Sequence, residues 1–213
     1  MILRVTILLL TGIFALGTAP LAMADLQLSV GGTTVSGTGG TVSYNGAVGN
    51  FMVNAYGFSN PVTIGPNMDL VQFHIATSTG GTLNLKLSDT DFSSPIGSVG
   101  TMAVSGHFLT GSGTITYSGA LGNDNNVFST ETQIGTLTGL SGSTTGGYVT
   151  SNQFSLTEIL TITLAPGSML SLDSSIGVIS VPEPDSILLL GLFTSFSLLC
   201  GLWFRKRKST AAQ

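Results

Sequence analysis

Leu160-Thr161-Ile162-Thr163-Leu164-Ala165-Pro166-Gly167-Ser168-Met169-Leu170-Ser171-Leu172-Asp173-Ser174-Ser175-Ile176-Gly177-Val178 is the stretch on which the fold turns. Leu160, Ile162 and Leu164 alternate with Thr161 and Thr163. After the break at Pro166-Gly167, the series Leu170, Leu172, Ser174, Ile176, Val178 resumes a period of two. Successive side chains of an extended strand point to opposite faces, so this spacing gives each segment one apolar face and one hydroxyl-rich face. That is the signature of half-buried strands in antiparallel sheets.

The same period recurs upstream. Val71, Phe73 and Ile75 oppose Gln72 and His74; Leu83, Leu85 and Leu87 alternate with Thr82, Asn84 and Lys86; Ile115 and Tyr117 alternate with Thr114 and Thr116. Turn formers interrupt these runs at Gly31-Gly32, Gly39-Gly40, Asn60-Pro61, Gly65-Pro66-Asn67, Gly80-Gly81, Gly122-Asn123, Gly146-Gly147 and Pro166-Gly167. Breaks this frequent predict about eight to eleven short strands. The expected fold is all-β: an antiparallel β-sandwich, jelly-roll-like, with almost no helix outside the two chain ends. A parallel β-helix would need a repeat of fixed period, and none is found. The low-complexity stretches from Gly31 to Gly40 and from Ser141 to Gly147 read as long flexible loops of one domain.

Both ends of the chain carry targeting patterns. Arg4 is followed by an apolar run from Val5 to Leu16 and by the small-x-small site Ala22-Met23-Ala24, the layout of a signal peptide over residues 1–24 with cleavage after Ala24. At the other end, Val181-Pro182-Glu183-Pro184 precedes eighteen uncharged residues, 187–204, and then Arg205-Lys206-Arg207-Lys208. A helix of that length extends about 27 Å, enough for a thin bilayer core. The four cations stop transfer and stay cytoplasmic. Pro182 and Pro184 keep the segment before the span extended and out of any helix or sheet, with Glu183 as an exposed charged handle.

Those three parts in terminal position closely resemble the PEP-CTERM sorting signal of Gram-negative bacteria. The resemblance covers 181–208. It implies that Pro182, Glu183 and Pro184 are the recognition element for exosortase, a multi-spanning membrane processing enzyme, in a host that makes exopolysaccharide. It implies an inner-membrane-anchored precursor facing the periplasm, and then a place on the outer surface or in the extracellular matrix. The stretch Leu87-Ser88-Asp89-Thr90-Asp91-Phe92 more loosely resembles the bodies of other proteins bearing this signal, which implies no activity. The expected organisation is therefore signal peptide 1–24, extracytoplasmic sandwich 25–180, and sorting signal 181–213.

The exported body is strongly acidic. From Asp25 to Ser180 the only cation is Lys86, against Asp25, Asp69, Asp89, Asp91, Asp124, Glu131, Glu158 and Asp173. Such a surface repels phosphates, which argues against nucleic acid as a partner. The single cysteine, Cys200, lies in the apolar run, so packing and hydrogen bonding must hold the body without disulfides.

No catalytic constellation emerges, and the chain reads as a non-enzyme without a cofactor. His74 and His107 are the only imidazoles, and a histidine alone on a strand is ordinarily solvated or satisfied by a neighbour. Gly139-Leu140-Ser141-Gly142-Ser143 fails the nucleophile-elbow pattern at its last position, and no phosphate-cradling loop is present. Asp89-Thr90-Asp91 opens like a calcium loop, yet Ser94 and Gly100 stand where that loop needs Gly and Glu. Asp89, Asp91 and Asp124 remain weak calcium candidates, and Asn123-Asp124-Asn125-Asn126 reads equally well as a polar turn. Asp89 with Glu158 has no special claim to be a glycosidase pair. Two functions follow: a non-enzymatic surface or matrix protein associated with exopolysaccharide, or a carbohydrate-binding or adhesin module. The second ranks lower because the body has no Trp and only four Tyr for stacking.

Overall fold

The computed structural model describes residues 26–61 and 65–181, and no helix occurs among them. They form twelve strands: β1 (Gln27–Val30), β2 (Thr33–Ser36), β3 (Thr41–Val48), β4 (Phe51–Asn60), β5 (Asn67–Thr77), β6 (Gly81–Phe92), β7 (Val99–Thr110), β8 (Gly113–Gly122), β9 (Thr132–Thr138), β10 (Ser141–Tyr148), β11 (Phe154–Leu164) and β12 (Met169–Ile179). Sheet 1 runs β2-β1-β6-β11-β8-β9 and sheet 2 runs β10-β7-β12-β5-β4-β3. Every pairing between strands is antiparallel. The antiparallel two-sheet sandwich read from the sequence is the fold observed. The expected signal peptide, the Pro-Glu-Pro motif, the apolar run 187–204 and the basic cluster lie outside the described residues.

The core forms where the apolar faces of the two sheets meet. Leu85, Leu87, Leu160, Ile162 and Tyr117 come from sheet 1, and Phe73, Ile75, Leu170, Leu172 and Ile176 from sheet 2; all are buried. Burying each such side chain stabilises the fold by roughly 1.5–3 kcal/mol relative to leaving it in water. The period of two in β6, β8, β11 and β12 therefore points as expected.

Three expectations are corrected. The strands number twelve, and several run to eleven or twelve residues, longer than the turn spacing implied. The stretches read as flexible loops contain β2 and β10. These are edge strands whose Thr, Ser and Gly side chains carry no apolar pattern but whose backbone pairs with β1 and β7. Val71 does not share a face with Phe73 and Ile75. The inward row of β5 is Met68, Leu70, Phe73, Ile75.

A β-bulge causes that slip. Against β12, Leu172 pairs with Phe73 but Ser174 with Leu70; against β4, Asn54 pairs with His74 but Tyr56 with Val71. One extra residue in β5 is thus unmatched on both sides. Gln72 takes up the excess with φ of 53°, the left-handed region that non-glycine residues seldom enter. Its N–H, lost to the ladder, donates to Asp173 Oδ1 at 2.9 Å.

The edges of the sandwich lie against one another. β9 and β10 approach backbone to backbone, so that a Cβ on Gly146 would collide with the Ile134 carbonyl. Across the molecule, the segment after β2 bridges to β3 through Thr38 and Thr41.

Candidate functional site

The two outer faces of the sandwich differ in what they offer. On sheet 1, part of the face is covered by the segment 123–131. Phe128 N–H donates to Ser88 Oγ at 2.9 Å, and Asn125 exchanges two hydrogen bonds of 2.8 Å with the Asp91 backbone and carboxylate. Ser88 and Thr157 are buried beneath it. The uncovered part is a threonine surface whose polar groups bond among themselves: Thr82 Oγ1 to Thr163 Oγ1 at 2.8 Å and Thr161 Oγ1 to Asn84 Oδ1 at 3.0 Å. Lys86 projects there.

Sheet 2 presents an open face. Strand register aligns Asn45 (β3), Asn54 (β4), His74 (β5), Ser171 (β12) and His107 (β7) in one cross-strand row. With neighbouring strands about 4.8 Å apart, the row spans about 19 Å. Both histidines of the chain stand in it. A groove of about 160 Å³ lies along its β3–β5 part, lined by Asn45, Asn54 and His74 and bordered by Met52, Ala76 and Met169. A second groove of about 210 Å³ opens beyond the bulge, lined by Asp69, Val71, Ala103, Ser105, Asp173 and Ser175. Tyr56, 37% exposed, pairs with Val71. A larger depression of about 520 Å³ at one end of the sandwich is walled mainly by Gly31, Gly32, Gly49 and Gly81, and holds no titratable group.

Beneath the second groove, polar groups cross the core. Glu158 of β11 points inward, fully buried, and its Oε2 accepts a hydrogen bond of 2.6 Å from Ser174 Oγ of β12. Among the described residues Oε1 has no hydrogen-bond partner. Tyr117 of β8 stands beside it and donates its OH to the Ser175 carbonyl at 2.8 Å. Burial pushes the Glu158 carboxyl up to about 8; the nearby Asp69 charge adds to this, while the Ser174 and Tyr117 hydroxyls oppose it. Burial also raises Asp69, against the hydrogen bond from Asn67, and raises Tyr117 well above the ordinary phenol range with Glu158 contributing.

The calcium candidates each hold hydrogen bonds. Asp89 is buried and its Oδ1 accepts the Thr90 N–H, Asp91 is tied to Asn125, and the Asp124 carboxylate accepts from both the backbone and side chain of Asn126. That side-chain bond holds Asp124 below the usual carboxylate range. Among the described residues, no three His, Cys, Asp or Glu side chains converge to hold a metal. Asp89 and Glu158 are both interior and not paired across the strands, Asp89 facing Leu156 and Glu158 facing Leu87. Asn45, Asn54, Ser171 and Asp173 carry the observed face, and no local pattern singled them out.

No protein-family model and no curated protein matches the sequence. Among solved structures, the chain is similar to the carbohydrate-binding module TmCBM61 in complex with beta-1,4-galactotriose, at 11% identity and TM-score 0.31, over 62% of this chain and 90% of that one. It is also similar to the enzymatically active domain of tailspike protein 4 of bacteriophage CBA120, at 12% identity and TM-score 0.26, over 73% of this chain and 19% of that one. A third similarity is to isomalto-dextranase of Arthrobacter globiformis T6 complexed with panose, at 11% identity and TM-score 0.25, over 73% and 30%. The chain spans less than a third of the length of the last two. Likeness at these scores carries no argument about function.

Proposed function

We propose that the chain is a non-enzymatic exported protein of the cell surface or extracellular matrix, and that its sandwich binds neutral polysaccharide on the outer face of sheet 2. The observation that carries the binding reading is the open cross-strand row Asn45–Asn54–His74–Ser171–His107 with its adjoining groove. Amides, imidazoles and a hydroxyl offer the mixed donors and acceptors that sugar hydroxyls need. Met52, Met169 and Tyr56 supply apolar area for the C–H faces of a sugar ring. The described part of this face holds Asp69 and Asp173 and neither Lys nor Arg, so an anionic polymer would be repelled. Consecutive strands β5 to β8 cross alternately between the sheets, which supports the jelly-roll-like form of the sandwich.

The route to the surface rests on the tail sequence. Pro182, Glu183 and Pro184 present the exosortase recognition element, residues 187–204 anchor the precursor, and Arg205 to Lys208 stay inside. A triple-alanine variant of Pro182, Glu183 and Pro184 is expected to remain an uncleaved membrane protein; cleavage and release as in wild type would overturn this route.

Binding is tested by native electrophoresis of the detergent-solubilised full chain through gels containing the producer's own exopolysaccharide, dextran or alginate. Retardation is expected in a neutral polymer and not in alginate, and Asn54→Ala with His74→Ala abolishes it. Unretarded migration in every neutral gel removes the binding function and leaves a matrix protein without a glycan site.

A further inference from the structure

The second groove and the core acid are joined by three consecutive residues of β12. Asp173 faces outward, lines the groove and accepts the Gln72 N–H that the bulge set free. Ser174 faces inward, closes the wall of the same groove and donates to Glu158. Ser175 lines the groove again, and its carbonyl accepts the Tyr117 OH. The segment that shapes the floor is thus anchored to sheet 1 by two hydrogen bonds and to the bulge of β5 by a third.

We infer that Glu158, acting through Ser174, is a positioning residue that sets the geometry of the second groove and makes ligand binding there proton-dependent. This inference rests on the reading of sheet 2 as the glycan face. Glu158 projects from the middle of sheet 1 and pairs with Leu87 on β6 and Gly119 on β8, neither of which has a side chain able to hydrogen-bond its carboxyl. From sheet 2 it meets Ser174, with Leu70 and Val104 as that residue's strand partners. The charged or titratable groups around it are Asp69 on β5 and Tyr117 on β8, with Asp89 farther along β6. None is a cation.

An ionised Glu158 would therefore carry a bare Oε1 into apolar surroundings with only acids and a phenol nearby. A buried carboxylate in that position draws in water or moves towards it. The way out leads past Ser174, which both contacts the carboxyl and lines the groove. The proton on Glu158 keeps the wall closed, and its loss displaces residues 173–175 together with the bulge they hold. A merely structural glutamate would change overall stability without singling out these residues.

The test follows backbone amide signals of the isotopically labelled full chain in detergent micelles by NMR from pH ~6 to ~9, a window that brackets the ionisation. Gln72, Ser174 and Ser175 are expected to shift together with one midpoint, while Thr161 and Thr116 on the outer face of sheet 1 do not follow it. In Glu158→Gln the shared step disappears and the three signals keep the wild-type low-pH positions. In Ser174→Ala, which retains the acid and removes only the contact, the Gln72 and Ser175 signals lose the step. Persistence of the step in Glu158→Gln, or its absence from wild type, overturns the inference. Affinity for the neutral polysaccharide is expected to fall about 5-fold or more across the same window in wild type and to stay level in Glu158→Gln. If no polysaccharide binds at all, the glycan reading fails while the NMR step still decides the coupling.

Discussion

The two outer faces of this sandwich are made of similar small polar residues, yet they are in opposite states. On sheet 1 the hydroxyls and amides bond to each other across strands, as between Thr82 and Thr163 or Thr161 and Asn84, and the segment 123–131 covers the remainder. On sheet 2 the row from Asn45 to His107 has no such internal closure among the described residues, and a bulge together with large side chains gives it relief. A face whose polar groups are mutually satisfied gains little from a ligand, since any new hydrogen bond only replaces an existing one. A face with unspent donors beside apolar edges gains more. Composition alone does not separate the two; register does.

The contrast breaks most completely from below. Phe73→Ala removes a fully buried ring next to the bulge and is expected to cost about 3–5 kcal/mol in a denaturant melt. Ile159→Ala, on the outer side of sheet 1, should stay within about 1 kcal/mol. A similar loss from both would mean that β5 does not pack as described.

Second in size is the effect of pH. The Glu158 carboxyl rises from 4.5 to about 8 on folding, so the folded chain holds a proton that the unfolded chain releases between those values. The associated stability is fully present below pH 4.5 and is lost as pH rises through about 8. Denaturation midpoints at pH ~5 and ~9 should therefore differ by an amount worth a few kcal/mol. In Glu158→Gln the difference shrinks to what Asp69 and the other groups contribute.

Smaller effects sharpen the comparison. His74→Ala is expected to weaken polysaccharide binding by about tenfold, near 1.4 kcal/mol, with the melting temperature unchanged because the side chain is exposed. Asp173→Ala leaves the Gln72 N–H without its acceptor and should destabilise by about 1 kcal/mol. Thr161→Val on sheet 1 should alter stability by no more than about 0.5 kcal/mol and binding not at all. A binding defect from Thr161→Val would place the ligand on the wrong sheet.

Much of the fold was legible because burial and period agree. Leu83 to Leu87, Leu160 to Leu164 and Leu170 to Val178 each show one face by their apolar residues, and the structure buries those faces. The reading failed where structure comes from the backbone. β2 and β10 are strands by pairing alone, since Thr33-Thr34-Val35-Ser36 and Ser141 to Tyr148 present no alternation to detect. The bulge at Gln72 is invisible for the same reason: Val71-Gln72-Phe73 looks like uninterrupted alternation until both neighbours are seen to skip a residue.

The site was less legible than the fold. Asn54, His74, His107 and Ser171 lie far apart in the sequence and share a row only through the register of β4, β5, β12 and β7. Glu158 was visible as an acid in an apolar run, Thr157-Glu158-Ile159-Leu160, but not as one whose partner is Ser174. Asp91, a weak calcium candidate, also ties Asn125 of the segment 123–131 to β6, a contact between residues 34 apart that no local pattern announces.

The mutual packing of the edge strands governs how copies of the protein can crowd together. β9 and β10 lie backbone to backbone on one flank, which leaves a neighbouring chain no room to continue either ladder there, whereas on the other flank Thr38 and Thr41 pair only across their own turn and β2 and β3 end their sheets. When copies crowd together, the β9–β10 flank does not add strands, although strand is the regular structure of the described residues. Cohesion on that side has to come from side chains and not from a shared ladder.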